Sequence, residues 1–201
     1  MTDRARRAPT GAAVLQPELT AAITEAVLDE LATQGYGRLS MEAVAKRAGV
    51  GKSALYRRWP SKQEMVLAVI SDFSVALAEV EDTGSLRGDL EATLKAVHDW
   101  LGHPRFSRIL PDMVAEIART PGIGIAVRDM IGGPRRARAE VMLKRAIARG
   151  ELSPDINLEL AMDFLAAPIY WRVNVRHAPL EPSYFADLVE MSLRALDARE
   201  V

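Results

Sequence analysis

Four polar side chains on one predicted helix face carry the most visible chemistry in this sequence. On a helical wheel of about 100° per residue, Lys52, Ser53, Tyr56 and Arg57 share that face. The surrounding stretch, residues 36–62, holds seven lysines and arginines against a single acidic residue. A face of this kind can hydrogen bond to base edges and neutralise phosphates, so the stretch is predicted to bind a nucleic acid.

The elements that must position this face are two short helices joined by a turn. Ser40 is suited to cap a helix starting at about Met41, and Gly49 can adopt the left-handed backbone of a tight turn. A second helix is predicted from Gly51 to Arg58, and Pro60 prevents it from continuing. Ser61 is then placed to cap a third helix beginning at Lys62. The pattern is that of a helix-turn-helix.

This stretch resembles the TetR-type bacterial transcriptional regulators. The residues that carry the resemblance are Ser40, Ala45, Gly49, Val50, Leu55, Tyr56, Trp59, Ser61 and Lys62. It covers about the first 80 residues, whereas the remainder agrees with the family only in length and helical character. One departure is Arg57-Arg58, where the family often has an aromatic residue or histidine, so DNA contacts at these positions are not carried over from it.

Lys52 and Ser53, near the start of the second helix, are expected to reach base edges, although Ser53 also fits a local capping role. The resemblance implies phosphate contacts for Tyr56 and Lys62, and the outward direction of Arg57 predicts a DNA contact. The full set of candidate DNA-binding residues is Ser40, Gly51, Lys52, Ser53, Tyr56, Arg57, Arg58 and Lys62.

The charge distribution separates the two parts of the chain. Of the 201 residues, the first 62 carry a net charge of +4 and the remainder −5. The predicted organisation is a flexible basic tail at 1–14, a DNA-binding domain at 15–62, and a ligand-binding and dimerisation domain at 63–201, with a linking helix at 62–80. The tail arginines are interpreted either as solvated or as an arm that contacts DNA.

Helical periodicity without convincing strand alternation predicts an all-α fold. The predicted helices after the helix-turn-helix cover 62–80, 86–101, 106–119, about 122–148, 157–175 and 184–198. An interruption is expected at Gly132-Gly133-Pro134 and a kink or break at Pro168. An additional first helix is expected from Pro17 to Gly35.

By the resemblance, the second domain encloses a small-molecule cavity. The candidate wall residues are Trp100, Phe106, Met113, Ile117, Met130 and Trp171, with His98, Asp99 and Asn174 as possible polar contacts. The alternative is that these bulky side chains are plain core.

The last two long helices have apolar residues over more of their surface than one buried face uses. The resemblance makes the partner a second copy in a four-helix bundle. The candidate interface residues are Phe164, Leu165, Ile169, Leu188, Met191 and Leu196. The alternative is burial within a single subunit.

Other classes of function find little support in the residues. The chain has no cysteine and three scattered histidines, and it lacks a phosphate-binding glycine loop or a catalytic serine motif. No cofactor, no metal and no enzymatic activity are therefore expected. The apolar runs are too short for a membrane helix and no signal peptide is recognised, so a cytoplasmic protein is expected.

These observations, together with what the resemblance implies, predict a homodimeric repressor that binds a near-palindromic double-stranded DNA operator and is released from it by a small-molecule effector. An activator, a regulator without a ligand, and an apolar small-molecule carrier remain as alternatives.

Overall fold

A computed structural model describes residues 11–76 and 82–199 of the chain. Within these ranges every regular element is helical, and no strand is found. The predicted all-α class is therefore confirmed. The chain divides into two compact units, residues 1–69 and 70–201, and the division falls inside one helix.

The first unit contains a long helix, the two helices of the predicted helix-turn-helix and the first part of a fourth helix. The helices are α1 (Gly11–Arg38), α2 (Met41–Ala48), α3 (Lys52–Arg58) and α4 (Lys62–Ala76), of which α4 continues into the second unit. Ile23, Val27, Val44, Leu55 and Met65 are fully buried and form the centre of its core.

Helix α1 starts earlier than the sequence pattern predicted. Residues 11–14, assigned to a flexible tail, are helical, and Pro17 lies inside the helix rather than at its start. The alanines of this stretch are strong helix formers, which a search for amphipathic periodicity does not register. The tail before residue 11 lies outside the described residues. Gly35 breaks the helical backbone with a φ of 76°, as expected of a glycine stop.

The second unit is built from six further α-helices and two π-helical segments. They are α5 (Leu86–Leu101), α6 (Phe106–Arg119), α7 (Pro121–Val127), π1 (Arg128–Gly132), α8 (Gly133–Ala148), α9 (Leu158–Tyr170), π2 (Trp171–Val175) and α10 (Pro182–Ala195). Leu90, Leu94, Leu143 and Ile169 are fully buried in its core. The part of the predicted 62–80 helix beyond residue 76 falls partly outside the described residues.

The backbone remains helical at the two positions where an interruption, or a kink or break, was predicted. The backbone stays helical through Gly132, Gly133 and Pro134, and π1 precedes the proline. Helix α9 likewise continues past Pro168, and π2 follows directly. A π-type turn re-pairs carbonyl groups over a longer span, which lets a helix pass a proline without ending.

An ionic cluster joins distant parts of the second unit. The Arg149 guanidinium donates to Asp89 at 2.9 Å and to Glu151 at 2.6 Å. The Glu151 carboxylate accepts from the Leu86 amide at 2.8 Å, and its carbonyl oxygen accepts from the Arg199 amide at 2.9 Å. Glu151 therefore holds both the start of α5 and the end of the described chain.

None of the helices in the described ranges has the length and apolar character needed to span a bilayer.

Candidate nucleic-acid interface and ligand cavity

Capping interactions fix the start of α2. The Ala43 amide donates to the Ser40 hydroxyl at 3.1 Å, which satisfies one of the unpaired amides of the first helical turn. Ser40 itself is exposed and precedes a helix that packs Met41, Val44 and Ala45 inward. The predicted cap is thus confirmed, and it sets the direction in which α2 enters the motif.

A left-handed glycine sets the turn into α3. Gly49 has φ 69° and ψ 27°, and its amide donates to the carbonyls of Ala45 and Lys46. Helix α3 begins at Lys52 after the extended Gly51, and it ends before Trp59, whose backbone is extended. These bounds agree with the predicted second helix to within one residue.

Helix α3 presents one face to the core and the other to solvent. Leu55 is fully buried, whereas Lys52, Ser53, Tyr56 and Arg57 are all exposed. Tyr56 keeps 46% of its surface accessible, so its ring and hydroxyl are available to a partner. The structure thus brings together the four polar groups that the wheel placed on one face.

Two lysines near this face have partners within the first unit. Lys52 lies 3.4 Å from the Glu42 carboxylate, and both side chains are largely exposed. Such a pair contributes little to stability and can be exchanged for a phosphate contact. Lys62 donates to the Tyr36 carbonyl at 3.0 Å and lies 4.4 Å from the centre of the Tyr36 ring.

Two arginines of the basic stretch make contacts that the sequence analysis did not anticipate. Arg58 donates to the Thr20 hydroxyl at 2.6 Å, which directs it toward α1. Arg47 pairs with Glu30 at 2.8 Å and lies 3.8 Å from Asp29. Part of the positive charge of residues 36–62 is therefore compensated by carboxylates of the first unit.

The second unit contains a cavity of about 1100 Å³. Its walls come from α5, the start of α6, π1, α8 and α9. Most of the lining is apolar, including Val97, Trp100, Leu110, Met142, Met162 and Tyr170. The polar lining consists mainly of Asp89, Thr93, Arg135, Arg136, Arg138, Arg145 and Asp163. A concave, mostly apolar space with a few polar groups is typical of a small-molecule site.

Of the six candidate wall residues, Trp100 lines this cavity. Phe106 is buried behind it, with the two ring centres 4.6 Å apart. Met113 is buried and Ile117 is half-buried, and neither is part of the lining. Met130 and Trp171 are exposed, and Trp171 keeps 58% of its surface accessible.

Several residues that line the cavity were not predicted from the sequence, and three of them belong to a basic run. Arg135, Arg136 and Arg138 follow Gly132-Gly133-Pro134 in the otherwise acidic part of the chain. The bulky apolar side chains of Met142, Met162 and Tyr170 are typical of a cavity wall. Which of the bulky side chains face the cavity depends on helix packing, which composition does not predict.

Trp100 and Arg135 meet at a buried serine of α4. The Trp100 indole donates to the Ser74 hydroxyl at 3.1 Å, and Arg135 donates to the Ser74 carbonyl at 2.8 Å. The Arg135 guanidinium lies 3.9 Å from the centre of the Trp100 ring, close enough for a cation–π interaction.

The six residues predicted for the dimer interface differ in their exposure within the single chain. Leu165, Ile169, Leu188 and Leu196 are buried within the single chain, in which α9 and α10 both pack against α5. Phe164 is half-buried, and Met191 is the one exposed member of the six. The large apolar side chains that are exposed in this region include Leu160, Trp171, Val175 and Met191.

Comparison with known proteins gives the same division of the chain. Residues 23–69 match the family described as bacterial regulatory proteins, tetR family, and residues 80–192 match the tetracyclin repressor-like C-terminal domain. A protein of Mycobacteroides abscessus, named DNA-binding transcriptional repressor TetR, is 30% identical over 178 residues, which are 88% of this chain and 93% of that protein.

Solved structures agree in fold. The TetR family transcription regulator SCO0332 has a TM-score of 0.70 and 29% identity, with 88% of this chain and 97% of that chain covered. GusR of Salmonella enterica has a TM-score of 0.73 and 21% identity, with 90% and 97% covered.

Regulators of this kind bind DNA operators and act as dimers. The exposed basic face of α3, its support by capped helices and the matches along both units lead to one conclusion: this chain belongs to the TetR family of bacterial transcriptional regulators.

Proposed function

We propose that this chain is a homodimeric repressor that binds a near-palindromic operator through α3 and is released when a small molecule occupies the cavity. The observation that carries the DNA-binding part is the split of α3 into a buried Leu55 and four exposed polar groups. A buried anchor fixes the helix while its outer face stays available to a major groove.

In this proposal each exposed group of the first unit has a distinct role. Lys52 and Ser53 read base edges because they lie at the amino end of α3. Tyr56, Arg57 and Lys62 hold phosphates, which fix the position of the helix on the duplex. The remaining predicted contact residues also bind the sugar–phosphate backbone of the DNA. They are Ser40, Gly51 and Arg58. For Arg58 this requires exchange of its Thr20 contact.

The repressing sign of regulation is supported by the Mycobacteroides abscessus relative, which is named a repressor. Release by a ligand is supported by the cavity and by the continuity of α4. Lys62 and Ser74 belong to one uninterrupted helix, and Ser74 contacts both Trp100 and Arg135. A ligand that binds one of two conformations more tightly shifts the protein toward that conformation.

A dimer is supported by an apolar stripe along α9 and π2. Leu160, Phe164, Trp171 and Val175 are spaced by four, seven and four residues, which places them on one side of the helix. Leu160 and Trp171 keep 65% and 58% of their surfaces accessible. Exposed apolar surface of this extent on one side typically marks a protein interface. We propose the stripe, together with Met191, as the dimer interface.

The proposed functions are assigned to the two predicted domains. Residues 15–62 bind DNA, and residues 63–201 bind the ligand and the second subunit. The division into compact units supports a boundary close by, between residues 69 and 70 of α4.

The test is fluorescence anisotropy of the protein on DNA from its own upstream intergenic region, across a salt series and against scrambled competitor. We expect selective binding with two protomers per site. Lys52→Ala should reduce the preference over competitor. Lys62→Ala should weaken binding to all sequences and lower the slope of log affinity against log salt by about one ion.

Lys144→Ala is the matched control. Lys144 is an exposed lysine of α8 that pairs with Glu140 at 2.6 Å, so its loss should leave DNA affinity unchanged. Equal affinity for operator and scrambled DNA in the wild-type protein would contradict the proposal. So would a Lys52→Ala protein with undiminished selectivity.

A further inference from the structure

Arg135 is positioned at the cavity by contacts with a backbone carbonyl group and an aromatic ring. It lies in the first turn of α8 and lines the cavity. One guanidinium nitrogen donates to the Ser74 carbonyl, and the guanidinium carbon lies 3.9 Å from the Trp100 ring centre. Neither partner is anionic. Among the residues in the described ranges, no carboxylate forms an ion pair with Arg135.

Neighbouring arginines of the lining differ in this respect. Arg136 pairs with both Glu159 and Asp163, and Arg145 lies 3.3 Å from Asp82. Burial, together with the positive charge of Arg138, lowers the pKa of Arg135 to about 10. Arg135 is therefore still a cation at neutral pH, held in a half-buried place where a charge without a counter-ion is costly.

The cavity carboxylates are already engaged by cations. Asp89 accepts from Arg149, and Asp163 pairs with Arg136. A cationic ligand would have to displace these pairs and would be repelled by the lining arginines. An anionic ligand, in contrast, would gain the charge partner that Arg135 does not have among the described residues.

We propose that the cavity binds an organic monoanion, a carboxylate attached to an apolar body, and that this carboxylate pairs with Arg135. The proposal rests on the proposed function and names the chemical class of its effector. A guanidinium has five N–H donors in a planar fork that matches the two oxygens of a carboxylate. The alanine, leucine, methionine and aromatic lining accommodates the apolar body.

Trp100 gives this pairing its geometry. Its indole is fixed by the hydrogen bond to Ser74, and Phe106 packs against it. The guanidinium carbon lies over this ring, so the head group is held in place before a ligand arrives. A preoriented donor loses less conformational entropy when it binds its partner.

The experiment uses N-phenyl-1-naphthylamine, an uncharged probe whose fluorescence rises in apolar sites. The purified full chain is loaded with the probe, which is then displaced by two matched pairs, decanoate with decanamide and 1-naphthoate with 1-naphthamide. Because charge-assisted hydrogen bonds are about twice as strong as neutral ones, each acid should compete at least about tenfold more tightly than its amide.

Arg135→Gln should abolish this preference for the acids and leave the affinities of probe and amides within about twofold. Arg128→Gln is the control, since Arg128 is 71% exposed and does not line the cavity. It should keep the full preference. Arg135→Lys retains the charge without the planar fork, so its preference should be intermediate.

Equal competition by acid and amide in the wild-type protein would overturn the inference while leaving the cavity as a ligand site. Retention of the preference in a folded Arg135→Gln protein would overturn it as well. Failure of the probe and of all four compounds to bind would remove the ligand part of the proposed function together with the inference. The wild-type comparison needs no variant, so it decides the matter even if Arg135→Gln does not fold.

Discussion

The Trp100 indole nitrogen donates a 3.1 Å hydrogen bond to the hydroxyl of Ser74, which is completely buried in α4. This bond ties a cavity wall residue of α5 to the helix that begins at Lys62 in the DNA-binding motif. It also aligns the ring against which Arg135 lies.

Ser74→Ala is therefore expected to affect both stability and ligand binding. Loss of the acceptor leaves the indole N–H unpaired, which should lower the free energy of unfolding by about 1 kcal/mol. Urea denaturation followed by far-ultraviolet circular dichroism measures this change, and probe displacement measures ligand affinity. Ser183→Ala, at an exposed position of α10, should change neither. An unaltered ligand affinity in Ser74→Ala would show that the hydrogen bond does not orient Trp100.

The lowered pKa of Asp89 predicts that the protein loses stability in acid. Its side chain is 1% exposed and accepts from the Thr83 amide, the Thr83 hydroxyl and Arg149. Burial raises the pKa of this carboxyl, but these hydrogen bonds and the Arg149 charge outweigh burial, so the pKa in the folded protein lies below its ordinary value. The contribution is thus complete above the unfolded pKa of about 3.9 and is lost as pH falls through the lowered folded value.

Asp89→Asn should lower the free energy of unfolding at pH 7 by roughly 3 kcal/mol, because it leaves the partly buried Arg149 with fewer anionic partners. The variant should also lose less stability than the wild type between pH 5 and pH 3. Urea titrations at several pH values provide the measurement. Asp187→Asn, at an exposed position of α10, serves as the control and should follow the wild-type pH profile. A parallel pH profile for Asp89→Asn would contradict the assignment.

The turn of the helix-turn-helix allows a test of backbone conformation alone. A methyl group added at Gly49 or at Gly122 would meet no atom within 4 Å, but only Gly49 has a positive φ. Gly49→Ala should therefore cost about 1 kcal/mol through left-handed strain, whereas Gly122→Ala in α7 should be neutral or stabilising. Differential scanning calorimetry measures both. Equal melting temperatures for the two variants would mean that the turn relaxes to a different conformation.

Negative charge introduced on the apolar stripe tests the proposed dimer interface. Leu160→Glu combined with Trp171→Glu places two carboxylates on the exposed stripe, so it should convert a dimer into a folded monomer in light scattering after size exclusion. Val114→Glu alters an exposed apolar residue of α6 and should leave the dimer intact. Ile169→Glu, in contrast, should reduce helix content because Ile169 is fully buried. A dimer that persists in the double variant would place the interface elsewhere.

The helix-turn-helix was predictable from sequence because its signals are local. Ser40, Gly49 and Ser61 each act on amides or dihedral angles within a few residues of their own position. Such interactions are set by neighbouring residues and need no knowledge of the remainder of the fold. The bounds of α2 and α3 therefore followed closely from the pattern.

The cavity and the apolar surface of α9 were less predictable because they depend on contacts between distant segments. Leu165 and Leu160 are the same residue type in the same helix, yet the first lines the cavity and the second is exposed. Only the packing of α9 against other helices separates them. Arg135 was not predicted for the same reason. Its contacts with Ser74 and Trp100 join residues that are distant in sequence and meet only in the folded protein.

Glu151 has a consequence for the way in which this part of the chain opens. It accepts hydrogen bonds from the first amide of α5 and from the amide of Arg199, which are far apart in sequence. Bringing such distant segments together costs loop-closure entropy, so each contact makes the other less costly to form. Local opening at Glu151 should therefore release the start of α5 and the segment after α10 together, and hydrogen exchange of the Leu86 and Arg199 amides measures this coupling.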